Sequence, residues 1–223
     1  MITLYHLENS RSIRILWLLE EMGLEYELLH FQREQENSMA EARFKQLHVL
    51  GKAPLLSDGE RMIAESGAII EYLLDTYGDR GLRPEAGTDA RIGYNYWLHA
   101  AEGSIMNVNT MELLLNRFDQ RAPWLFKPVI RLMTSKARAT YTGPVTRLLL
   151  QSMETTLEQQ AWFAGDDFSA ADIQMGYTVR ALQARGGLGR DYPACQRWIM
   201  QMEARPAYKS AMEKNGDFQL LKD

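Results

Sequence analysis

Apolar residues in the first eighty positions change their spacing every ten residues or so, and each change predicts an element. Ile2 to Leu7 alternates and is rich in strand formers; after the polar Glu8-Asn9-Ser10, the apolar positions from Ile13 to Met22 fall at helical spacing. Gly23 stands where a helix ends on a left-handed residue. Tyr26 to Phe31 reads as a second strand, and a strand-helix-strand of this length is a parallel crossover unit. A polar stretch, Gln32 to Met39, leads to a short helix near Ala42 to Leu47. Leu55 to Ser57 and Arg61 to Ala64 then pair as a hairpin around Asp58-Gly59. Ser66 to Tyr77 closes the unit as a helix with Ile69, Ile70, Leu73 and Leu74 on one face.

Gly78, Gly81, Pro84 and Gly87 interrupt the pattern within ten residues, which predicts a linker over 80–87 between a first domain, 1–79, and a second, 88–223. The second part contains no convincing strand. Thr88 to Asn116, Val145 to Gln160, Asp172 to Ala184 and Pro193 to Ala204 all read as helices. Ser169-Ala170-Ala171-Asp172 has the spacing of a capping box with Asp in place of Glu. The expected fold class is therefore an α/β N-terminal unit followed by an all-α unit.

Composition narrows the function more than the fold. Acids outnumber bases 29 to 25 in 223 residues, a net charge of −4, which argues against a general nucleic-acid binder. The longest apolar run is Ile15 to Leu19, far short of the roughly 20 residues a bilayer span needs. The opening residues show no basic region followed by an apolar one, so no secretory signal is expected. A single cysteine, Cys195, suits a reducing, cytoplasmic setting. It rules out an internal disulfide and a Cys-x-x-Cys redox pair, and with four scattered histidines no metal site is expected.

Specific residues then carry a resemblance along nearly the whole chain. They are Leu4-Tyr5-His6-Leu7 through Ser10-Arg11-Ser12, Arg14 to Glu21, Leu50-Gly51-Lys52-Ala53-Pro54-Leu55 and Ala64-Glu65-Ser66. Glu102-Gly103-Ser104, the segment Phe163-Ala164-Gly165-Asp166 to Asp172, and Tyr192-Pro193 with Trp198 and Arg205-Pro206 continue the series. In order and spacing these resemble the cytosolic glutathione S-transferases of the serine type, and more narrowly bacterial relatives of a fungal branch. The resemblance implies a thioredoxin-like first domain, an all-helical second domain, and a cytoplasmic homodimer. It implies glutathione as co-substrate with no other cofactor.

The chemistry so implied is ionisation of the glutathione thiol. A free thiol titrates near about 8.5, and each unit of downward shift needs about 1.4 kcal/mol of preference for the anion. A hydroxyl donating to sulfur at a helix N-terminus can supply much of this. Ser10 lies in the loop before the first helix and matches the family's catalytic serine, with Asn9 and Tyr5 as alternative donors; Ser10 or Ser12 could equally be the helix N-cap. The resemblance places Asn9, Ser10, Ser12, Lys52, Ala53, Pro54, Glu65 and Ser66 against glutathione. A cis bond before Pro54 would let Ala53 offer its main chain to the cysteinyl unit, and Lys52 suits the glycine carboxylate. Glu65 suits the γ-glutamyl ammonium, while Ser66 and the helix N-terminus suit its carboxylate.

Trp97, Glu102, Met106 and Asn109, on the long helix from Thr88, are expected to wall the electrophile pocket. The segment Arg117 to Arg138 holds six basic residues against one acid, a solvated face or an attractor of anions. The expected activity is conjugation of glutathione to small hydrophobic electrophiles. Glutathione-dependent reduction of peroxides or disulfides, and a non-catalytic binding role, stand as alternatives.

Overall fold

The computed structural model describes residues 1–34, 39–184 and 187–216. Residues 35–38 of the polar stretch Gln32 to Met39 lie outside them. Strands β1 (Ile2–Leu7), β2 (Tyr26–Phe31), β3 (Leu55–Asp58) and β4 (Arg61–Ala64) form one sheet in the order β2-β1-β3-β4. β1 and β2 run parallel, with Ile2 opposite Tyr26 and Leu7 opposite Phe31; β3 lies antiparallel to β1 and to β4. Helix α1 (Ser12–Met22) makes the crossover, α2 (Ala42–Lys45) is a single turn, and α3 (Ser66–Tyr77) follows β4. Gly23, at φ 56°, ends α1 as its N–H bonds the Glu20 carbonyl and that of Leu24 bonds Leu19.

The hairpin turns on Gly59 and Glu60, so Asp58 is not a loop residue but the last of β3. Its carboxylate accepts the hydroxyls of Tyr72 (2.9 Å) and Tyr77 (2.5 Å), which anchors α3 to the sheet.

Beyond the glycine-rich connection come α4 (Asp89–Ala100), α5 (Asn107–Arg121), α6 (Lys127–Ala137), α7 (Gly143–Gln159), α8 (Ala170–Ala184), α9 (Pro193–Ala204) and α10 (Pro206–Asn215). The single helix expected from Thr88 to Asn116 runs on to Arg121, but a π-helical turn at Ala101–Met106 divides it. A second π turn, Arg138–Thr142, joins α6 to α7. Helices α6 and α10 lie where the sequence pattern predicts none. Each begins with a proline in its first turn, where no N–H is required, so residues that read as interruptions are starts. Of the basic run, Arg138 is tied to Glu112 (3.0 Å) and Asp119 (2.8 Å) of α5, which makes it a brace between helices.

α1 is buried on nearly every side, from Ile13 through Leu19 to Met22. Its apolar residues join those of β1 and α3 and also those of α4, α8, α9 and α10 in one continuous core. The two halves that the sequence separates therefore share an interior, and burying each of these large side chains contributes on the order of 1.5–3 kcal/mol. Gly176 of α8 permits the close approach: a Cβ there would lie 2.9 Å from Trp17 Cζ3 and 3.2 Å from Met202 Sδ. An ion pair between Glu21 and Arg205 (2.6 Å) closes the far edge of the contact.

Candidate active site

β1 delivers the chain into a loop at the N-terminal end of α1, and the elements around it define two adjoining clefts. The larger, of about 410 Å³, is lined by residues that include Leu7, Asn9, Ser10, Arg11, Lys52 and Ala53 from the sheet unit; Met106, Asn109, Leu113, Tyr177 and Ala181 face them from α5, α8 and the π turn. The smaller carries Arg11, Lys52, Ala53 and Pro54 on to Glu65 and Ser66. The Ala53–Pro54 peptide is cis. Arg11, Lys52 and Ala53 line both clefts, which therefore adjoin between the β4–α3 junction and the start of α1.

At that junction Glu65 takes φ 73°, a left-handed backbone uncommon for a residue with a side chain and costing about 1–3 kcal/mol. Glu65 is the formal N-cap of α3, yet it makes no side-chain bond to the helix and is exposed. Ser66 is buried, and its Oγ accepts from Arg14 (3.3 Å) and Gln174 Nε2 (3.0 Å). Since a hydroxyl has a single hydrogen, Ser66 retains it for an acceptor in the cleft. The α3 N-terminus adds unbonded main-chain N–H groups, so the corner is suited to a carboxylate, with Glu65 beside it suited to an ammonium.

Arg14 is the residue that sequence reasoning missed. It is wholly buried within the apolar run of α1; it is ion-paired to Glu102 and donates to Thr178 Oγ1 at 2.5 Å. Burial draws its pKa down and Glu102 opposes that. The available signal was a charge between Ile13 and Ile15, with Trp17 and Leu18 one turn further on. Arg33 was missed as well: it lines the larger cleft and bonds the carbonyls of Glu8 (3.0 Å) and Asn9 (3.1 Å), fixing the loop before α1.

The predicted donors lie at different depths. Asn9, in a left-handed conformation at φ 48°, and Ser10 both border the larger cleft. Ser10 Oγ accepts the Ser12 N–H at 3.2 Å, and lies 2.7 Å from both the Leu7 carbonyl and Ser12 Oγ. The formal N-cap of α1 is Arg11, without a side-chain bond, so Ser10 does the capping from one residue further out. Ser12 is fully buried beneath Ser10, bonded to His6 Nδ1 at 2.9 Å, and borders neither cleft, because the first turn of α1 points it into the sheet. Tyr5 extends from the sheet to bond Ser57 Oγ at 3.3 Å and lies outside both clefts.

Of the expected electrophile wall, Met106 and Asn109 line the larger cleft. Trp97 does not: it packs into the core against Phe163, ring centroids 4.7 Å apart. Glu102 also lies off this lining, paired instead with Arg14 and Arg11 behind Ser66. Cys195 is sealed in the core, where burial first and the Glu154 carboxylate second raise its thiol pKa.

Comparison with known proteins gives one consistent result. Residues 1–75 match the glutathione S-transferase N-terminal domain, and residues 119–206 the glutathione S-transferase C-terminal domain. Glutathione S-transferase 3 of Schizosaccharomyces pombe is 32% identical across 97% of this chain and 89% of its own length. Glutathione S-transferase GstB of Escherichia coli is 27% identical across 95% and 98%. Among solved structures, a glutathione S-transferase from Actinobacillus pleuropneumoniae superposes with a TM-score of 0.77 at 34% identity, over 99% of this chain and 94% of that one.

Proposed function

The chain belongs to the glutathione S-transferase family and is a glutathione transferase, and we propose that it ionises the glutathione thiol at Ser10 for attack on small hydrophobic electrophiles. The observation that carries this reading is that the cleft at Glu65 and Ser66 adjoins the cleft at Ser10, with Arg11, Lys52 and Ala53 lining both. The γ-glutamyl group would lie at the α3 N-terminus, with its ammonium near Glu65 and its carboxylate on the Ser66 hydroxyl. The cysteinyl unit would run along Ala53, and the glycine carboxylate would meet Lys52. An extended tripeptide so placed brings its sulfur to the β1–α1 loop.

There the Ser10 hydroxyl and the α1 N-terminus favour the anion. The thiol proton passes to solvent, the sulfur lone pair bonds the electrophilic carbon, and the leaving group departs with its electron pair. Met106, Leu113 and Ala181 offer the apolar side on which such a carbon would rest. Asn9 is the second donor in reach. A route through a protein disulfide is closed because Cys195 is buried. The homodimer implied by the resemblance belongs to the same reading, and α4 presents exposed Ile92 and Tyr96 one turn apart on its outer face.

Calorimetry with glutathione, followed by ultraviolet titration of the bound thiol, tests the reading. Binding with a thiol that titrates one to two units below about 8.5 supports it. Binding with an unshifted thiol favours the non-catalytic alternative, and absence of binding to folded protein defeats both.

A further inference from the structure

Three polar side chains below the cleft form a chain that the reading above does not use. His6, Ser12 and Ser10 are each buried, and they connect through His6 Nδ1 to Ser12 Oγ (2.9 Å) and Ser12 Oγ to Ser10 Oγ (2.7 Å). The Leu7 carbonyl lies within reach of both hydroxyls, 2.7 Å from Ser10 and 3.2 Å from Ser12. Ser10 therefore has a competing acceptor. While its one hydrogen points at Leu7, none is left for sulfur.

The direction of the chain follows from His6. Its Nε2 makes no hydrogen bond among the described residues, the Asn215 amide included. Burial, with His30 across the sheet acting the same way, holds the imidazole near a pKa of about 4, so the ring is neutral and carries one N–H. Placed on Nε2, that hydrogen would be a buried donor without an acceptor, which costs about 1–3 kcal/mol and is rarer than an unused lone pair. Placed on Nδ1, it bonds Ser12. Ser12, having accepted from His6, turns its own hydrogen onto Ser10 Oγ, 2.7 Å away, so that contact is filled from the Ser12 side.

We propose that His6 is a positioning residue: its Nδ1–H holds Ser12 so that the Ser12 hydroxyl donates to Ser10 Oγ and leaves the Ser10 hydrogen for the glutathione sulfur. Ser10 Oγ then accepts from both the hydroxyl and the N–H of Ser12, and its own hydrogen rests on the Leu7 carbonyl until sulfur arrives. The inference rests on Ser10 as sulfur donor. The opposite tautomer would draw the Ser12 hydrogen to His6 and turn the Ser10 hydrogen onto Ser12 Oγ, away from sulfur.

The test titrates the thiol of bound glutathione by ultraviolet absorbance in the wild type, Ser10→Ala, Ser12→Ala, His6→Leu and His6→Asn. Glutathione Kd and Tm are measured alongside. Ser10→Ala should return the thiol to about 8.5. Ser12→Ala and His6→Leu should each raise its pKa by roughly half to one unit, about a 3- to 10-fold loss of rate below that pKa, at unchanged Kd. His6→Asn, whose amide N–H stands in for Nδ1–H, should restore the wild-type value. If His6→Leu unfolds, Ser12→Ala alone decides, because it removes the hydroxyl that donates to Ser10. The relay is overturned if Ser10→Ala shifts the thiol and neither Ser12→Ala nor His6→Leu does, or if Leu and Asn at position 6 titrate alike. No shift in Ser10→Ala removes the donor assignment, and the relay with it.

Discussion

The indole N–H of Trp198 donates to Asp172 Oδ1 at 2.9 Å, joining the middle of α9 to the first turn of α8. The same oxygen accepts the Phe163 main-chain N–H at 2.9 Å, while Oδ2 accepts the N–H and hydroxyl of Ser169, each at 3.0 Å. The spacing that reads as a capping box is thus one part of a wider anchor. Asp172→Ala should leave these donors buried without an acceptor and lower stability by about 3 kcal/mol or more. Urea denaturation measures this. The titration of bound glutathione should be unchanged, since nothing in the anchor reaches the cleft.

Glu65 ties strain to binding. Glycine adopts φ 73° without penalty, so Glu65→Gly should match or exceed the wild type in stability, by up to about 1 kcal/mol, while weakening glutathione binding roughly tenfold through loss of the countercharge. Thermal melting and calorimetry on one sample check both halves. A variant that lost stability and kept its affinity would contradict the assignment.

The fit of α8 against α1 leaves no room at Gly176. Gly176→Ala places a methyl 2.9 Å from the Trp17 ring and should destabilise by about 1–3 kcal/mol despite alanine's better helix propensity. Denaturant midpoints decide the sign.

Two buried groups give pH dependences of opposite sign. His6 falls from 6.5 to about 4, so between these values the unfolded chain binds the extra proton; its contribution is complete above about pH 6.5 and is lost as pH falls toward 4. Burial raises the Asp172 carboxyl from 3.8 to about 6 against the hydrogen bonds it accepts, so there the native state binds the extra proton and stability falls as pH rises through that window. Measured by urea denaturation, acidification from about pH 7 to about pH 4 should cost the wild type more than His6→Asn, by at most about 3 kcal/mol.

Cys195 should resist alkylation in the native protein and react once denatured, with Cys195→Ala retaining full conjugating activity. Mass spectrometry of the labelled protein checks the first, and turnover the second.

Much of this was legible in the chain because local pattern determined it. β1, β2, β4 and α3 fall where alternation and helical spacing put them, α1 ends at Gly23, and Glu65-Ser66 stand at the strand-to-helix junction where the pattern put them. What escaped depends on partners distant in sequence. Arg14 finds Ser66 and Thr178, and no window around α1 contains either. Ser12 resembles a site residue because it follows Ser10, yet one step along a helix turns it from cleft to sheet. Trp97 misled for the converse reason, since large aromatic groups on a pocket-forming helix serve the interior as readily as the ligand.

The unbroken interior around α1 also sets how the molecule comes apart. A cut within the glycine-rich connection at 78–88 would leave both fragments with a greasy flank and no covering. The pieces should clump rather than survive separately, and heating the intact chain should melt both portions together.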